Sequence, residues 1–139
     1  MIDLSAHSSA VLVEAFLAIP FYLMGLSHIL QPKMWREFFT GLHEQGPPGV
    51  IVRTFALELW PAMLVLVFHR VWSGHGVVIT IYGHLLTLKI ILGLLYPPLG
   101  LRSLAMAESK GDKGFIGAGF ALLVLGAICT PALLDVWVW

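Results

Sequence analysis

Four stretches of the chain are almost continuously apolar, at about residues 10–30, 49–68, 76–96 and 115–134. Each approaches the ~20 residues that a helix rising ~1.5 Å per residue needs to cross ~30 Å of hydrocarbon. The pattern predicts one domain over residues 1–139, all-α, an integral membrane four-helix bundle. Only "HRVWSGHG" separates the second and third spans, so these are expected to be antiparallel neighbours. Of the two longer connections, "QPKMWREFFTGLHEQGPPG" predicts a short amphipathic helix at the interface. "PPLGLRSLAMAESKGDKG" is the most polar segment and is expected to be the most exposed.

Within the spans, Pro20, Pro61 and Pro131 each remove a backbone donor and free a carbonyl one turn earlier, which predicts kinks. In lipid those carbonyls need partners from neighbouring helices or trapped water. The fourth span, "GFIGAGFALLVLGAIC", presents Gly117, Gly119, Ala121 and Gly126 as small residues for close helix approach.

Composition agrees with the pattern. Of the 139 residues 58% are hydrophobic and 12% charged, with a mean hydropathy of +0.88. A soluble domain is about one-quarter charged, so lipid is the expected solvent and partner. Formal net charge is zero, which leaves no basic field for nucleic acid. The single cysteine, Cys129, excludes an intramolecular disulfide and a cysteine-based metal cluster. No basic segment precedes the first apolar run and no A-x-A-like site follows it, so that run is expected to be retained as a helix.

Charge also orients the chain. Lys33, Arg36, Arg53, Arg102, Lys110 and Lys113 fall in or beside the two longer connections, and Arg70 alone falls on the side of the termini. Positive residues collect on the cytoplasmic face. Both termini are therefore expected to be periplasmic, in a bacterial inner membrane. Trp35, Trp72, Trp137 and Trp139 lie near span ends as an aromatic belt requires, while Trp60 lies deep in the second span.

Three ionisable residues are placed at similar depth on the second and third spans: Glu58, His84 and Lys89. A charge at mid-depth costs roughly 2.5–3.5 kcal/mol on insertion scales. Mutual neutralisation is the simplest remedy, with Glu58 paired to Lys89 or hydrogen-bonded to His84. These two partners are five residues apart, about 140° around a regular helix, so one carboxylate does not face both squarely. One reading is a structural clasp that fixes helix register, with Lys89 snorkelling towards the interface. The other is an ion- or proton-responsive site, or a polar lining for a small molecule.

The histidines raise cofactor chemistry. A bis-histidine haem needs two imidazoles at matched depth on facing helices. His84 is near mid-depth, His28 at the cytoplasmic end of the first span and His69 at the periplasmic end of the second, so none matches another. A single ligand to haem or chlorophyll from His84 or His28 is the form left open. His69 and His75 flank Arg70 and Trp72 and are weak metal candidates, against a plain reading as exposed polar residues. Glu14 stands alone near the periplasmic end of its span. No carboxylate pair, nucleophile elbow or phosphate-cradling glycine loop appears, so no catalytic residue and no enzyme are expected.

Three stretches in order, "MGLSHILQPKMWREFF", "LVLVFHRVW" and "VVITIYGHLLTLKIILGLLYPP", carry a resemblance. Through Pro32, His69, Trp72, Gly83, Lys89 and Pro97 the chain resembles small four-span prokaryotic membrane proteins of unassigned function. Its layout is distantly similar to DoxX-like proteins, some of which accompany quinone-linked oxidoreductases. The resemblance covers roughly half the chain and implies topology rather than activity; His84, directly after Gly83, departs from it.

The expected function is an accessory membrane subunit, packing against a larger complex or another copy of itself. Loops too small for a catalytic domain and the small-residue fourth span favour it. The alternatives are a small proton-coupled carrier using Glu58, His84 and Lys89, and a haem- or chlorophyll-binding subunit of an electron-transfer complex using His84 or His28.

Overall fold

The computed structural model describes residues 8–138, which form six helices and no strand. They are α1 (Ser9–Leu30), α2 (Pro32–Glu44), α3 (Pro47–Phe68), α4 (Val77–Leu95), α5 (Pro97–Ser109) and α6 (Gly111–Trp137). The helices α1, α3, α4 and α6 are long and apolar enough to cross a membrane. This is the architecture of a multi-pass membrane protein. Its surface agrees: large apolar side chains such as Leu23 and Leu95 stand 65% and 80% exposed on the outside of the bundle, where water would drive them inward.

Local sequence explains the helix boundaries. The Ser8 side chain accepts from the Val11 N–H at the start of α1, satisfying one orphan donor of the first turn. Pro32, Pro47 and Pro97 open α2, α3 and α5, where a missing N–H costs nothing. Between α2 and α3 the backbone turns through Gly46 at φ 68°, a conformation that side chains with a Cβ resist.

The bundle is two helix pairs, α1 along α6 and α3 along α4, joined through α1 and α3. Val13, Leu17, Ala18 and Phe21 of α1 meet Val65, Ile79 and Cys129 in the main core. The α1–α6 contact is close because Gly25 and Gly119 face each other. A Cβ on Gly119 would stand 2.7 Å from the Gly25 carbonyl oxygen, and one on Gly25 2.8 Å from that of Gly119. Gly126 packs likewise on the Tyr22 ring, and the Tyr22 hydroxyl hydrogen-bonds Thr130 at 2.7 Å. Two of the four small residues of the last span are therefore spent inside the bundle, while Gly117 and Ala121 remain on its outer face.

The helices α2 and α5 lie against each other at the end opposite the 69–76 connection. Leu42, Val50 and Leu104 form a small core there. The Arg36–Asp112 ion pair at 3.0 Å and a His43–Glu108 hydrogen bond at 3.1 Å tie this layer together. Within the 97–114 segment Pro97–Ser109 is thus a helix with Gly100 and Leu104 buried, where its polarity suggests an exposed connection. The amphipathic helix expected after the first span is present as α2.

Helix continues through Pro20 and Pro131. The backbone irregularity lies in α3, where Thr54–Glu58 forms a π-helical turn and the Leu59 N–H reaches the Thr54 carbonyl. Pro61, which cannot donate to the Leu57 carbonyl, follows directly. Trp139 of the aromatic set lies outside the described residues.

Candidate functional site

The π-helical turn creates the first polar site. On a regular helix Arg53 and Glu58 would be about 140° apart. An i→i+5 turn stacks residues five apart, and Arg53 Nε stands 3.2 Å from Glu58 Oε1. From the neighbouring helix, Lys89 Nζ donates to the same oxygen at 2.5 Å. Arg53 is 1% exposed, and its Nη1 also donates to Ser103 Oγ at 3.1 Å and towards the Gly100 carbonyl of α5. Each partner has its own supporting element: α3 supplies the carboxylate and guanidinium, α4 the ammonium, α5 the cover.

Beside this cluster is a cavity of about 280 Å³, walled by Arg53, Lys89 and Ser103 together with Leu85, Leu88 and Leu92. Leu85, Leu88 and Leu92 are exposed on the outer face of α4, so the cavity opens sideways, towards lipid. The Lys89 side chain is 43% exposed and stands at the opening. Arg53 Nε, Glu58 Oε2 and Thr54 Oγ1 are buried without a hydrogen-bond partner. Such atoms carry a desolvation cost of about 1–3 kcal/mol each. In charge, two cations share one carboxylate.

The three residues singled out by depth are thus only partly brought together. Glu58 and Lys89 meet. His84 is exposed on the outer face of α4; its Nδ1 bonds the Thr80 carbonyl one turn back at 2.8 Å, and its ring lies 5.4 Å from that of Trp72. Arg53, counted in sequence among the charges beside a connection, is instead a buried member of the site. The remaining loop cations still favour the same side.

A second polar site lies at the opposite end. His69 is fully buried, its Nε2 2.7 Å from Glu14 Oε1 and its Nδ1 2.9 Å from Thr80 Oγ1. The Thr80 hydroxyl donates to the Val71 carbonyl at 2.6 Å. His75 Nε2 approaches Glu14 Oε2 to 3.9 Å from an exposed position. Gly76 lets the connection close over this point, since a Cβ there would stand 2.9 Å from Glu14 Oε1. Glu14 is therefore not alone, and His69 is no exposed hairpin residue. Both of its ring nitrogens are engaged by protein, and no group of three His, Cys, Asp or Glu side chains converges for a metal among the described residues.

His28 is buried at the other end of α1, stacked on Trp35 at 4.2 Å, with Nδ1 on the Met24 carbonyl at 2.7 Å. It lines a cavity of about 290 Å³ with Phe39, Ser103, Lys110 and Phe115. His28 and His84 occupy different surroundings, one lining this cavity and the other exposed on α4.

The signals that sequence reading missed were Arg53 and the Glu14–His69 pair. An acidic residue in one span and a histidine at the end of another, on the same side of the membrane, was the trace of the second. No protein-family model, no curated protein and no solved structure matches this chain.

Proposed function

We propose that the protein binds an anionic amphiphile within the membrane, its head group on Lys89 and Arg53 and its tail in lipid along Leu85, Leu88 and Leu92. One observation carries this reading: two cations share a single carboxylate at the wall of a cavity that opens towards lipid. A clasp that only fixed helix register would be charge-balanced. Here one positive charge is in excess, and a monoanionic head group, a phosphodiester or a carboxylate, complements it. Glu58 then acts as a positioning residue that holds both cations, and Ser103 fixes the Arg53 fork from above. A cavity of this volume lies at the lower edge of small-molecule sites, enough for a head group whose chains stay in the bilayer.

In the same proposal the chain sits in a bacterial inner membrane with periplasmic termini, which puts the site in the cytoplasmic leaflet. Kinship with small four-span prokaryotic membrane proteins, distantly DoxX-like, is part of it and rests on the motifs quoted above. A second reading, an accessory subunit packing on a larger complex or another copy, draws on the outer face of α6, where Gly117 has open space around it.

The test is native mass spectrometry of protein released from phosphatidylcholine nanodiscs doped with either phosphatidylglycerol or oleate. Wild type retains one anionic molecule. Lys89→Gln weakens retention about tenfold, the ~1.4 kcal/mol expected for one charge-assisted contact. Equal retention by both proteins refutes the site.

A further inference from the structure

The Glu14–His69 pair lies where α3 ends, about three turns beyond Glu58, and its hydrogen-bond geometry fixes where protons reside. The Thr80 hydroxyl has one proton, and the 2.6 Å approach to the Val71 carbonyl requires it there. Thr80 Oγ1 is therefore an acceptor towards His69, and His69 Nδ1 carries a hydrogen. The 2.7 Å contact between His69 Nε2 and Glu14 Oε1 needs a proton of its own, because two lone pairs repel at that distance. One proton, held as carboxylic acid or as imidazolium, keeps the buried pair neutral overall.

We propose that Glu14 and His69 form a proton-binding site that latches the 69–76 connection onto α1. The latch is closed while the bridging proton is held and opens when it is lost. Deprotonation leaves a carboxylate facing a bare imidazole nitrogen inside the bundle. The groups around the pair are Thr80 from α4, Cys129 from α6 within electrostatic reach of Glu14, and exposed His75 and Arg70 in the connection, with exposed Asp135 further along α6. Of these, His75 is the exposed base nearest Glu14 Oε2 and is the route by which the proton exchanges with water. The parts that move are the connection, which follows His69 through Val71 and Gly76, and the Ser9 side chain, which donates to the Phe68 carbonyl at 3.0 Å.

The experiment is hydrogen–deuterium exchange of full-length protein in nanodiscs between about pH 5 and about pH 9, corrected for intrinsic exchange. In wild type the opening of residues 69–80 rises about tenfold per pH unit over the range in which the closed pair still holds the bridging proton and the opened groups have released it. In Glu14→Gln, which keeps a neutral hydrogen-bonding side chain but no titrating proton, the profile is flat from neutral pH upward. A flat wild-type profile, or equal slopes in the two proteins, overturns the proposal. Nitrogen-15 histidine spectra of wild type test it without a variant: Nδ1 of His69 stays protonated throughout. A His69 ring with bare Nδ1 and permanently protonated Nε2 overturns it as well.

Discussion

Replacing Glu58 by Gln removes the carboxylate that two cations share, and the structure says how the loss divides between them. Arg53 has a 2% exposed side chain and Lys89 a 43% exposed one. At 3.2 Å from Arg53 Nε, an effective dielectric of ~20 gives a gross attraction of about 5 kcal/mol, much of it offset by desolvation. Leaving the guanidinium buried and unpaired costs about 3–5 kcal/mol. Lys89 can turn its ammonium outward, so its share is about 1 kcal/mol or less. Glu58→Gln is therefore expected to destabilise the bundle by ~3–5 kcal/mol. Combined with Arg53→Gln it costs less than the sum of the two, with a coupling of about 1.5–3 kcal/mol. The same cycle with Lys89→Gln gives about 1 kcal/mol or less. The assay is reversible unfolding in mixed micelles, followed by helical circular dichroism. A coupling below ~0.5 kcal/mol between positions 53 and 58, or a larger one through Lys89, refutes the assignment of Arg53 as the main partner.

Two further outcomes follow from packing and charge. Gly119→Ala should destabilise by about 1–3 kcal/mol, because its new Cβ meets the Gly25 carbonyl, whereas Gly117→Ala, facing open space, should be neutral or slightly stabilising in the same assay. A cysteine placed at Lys110, with Cys129 replaced by alanine, should react with a membrane-impermeant maleimide only after the cytoplasmic face is opened; efficient labelling of intact cells overturns the proposed orientation.

The apolar pattern made the four spans readable because lipid imposes one rule along the whole length of a helix. Glu58 and Lys89 were readable for the same reason, as charges at similar depth on spans joined by a short connection. Arg53 was not, since an arginine near a span end looks like a loop charge and the π-helical turn changes which residues share a face. Glu14 and His69 are 55 positions apart, and nothing local in either segment announces the other. The α5 helix hid behind its polarity, its burial resting on Gly100 and Leu104 alone. The Glu14–His69 pair and the burial of α5 turned on tertiary contacts and Arg53 on a local widening of its own helix, while the spans were properties of one helix in one solvent.

The widened turn at residues 54–58 also makes the length of α3 a constrained quantity. Making the turn regular without shortening the chain would swing everything beyond it by roughly 100° about the helix axis, the step of the one residue that the wide turn absorbs. Val65 would leave the main core, His69 would turn from Glu14, and Glu58 would leave Arg53. One surplus residue thus sets the rotational phase between the two ends of the molecule, so that the anion cluster and the proton pair can both face inward along the same rod.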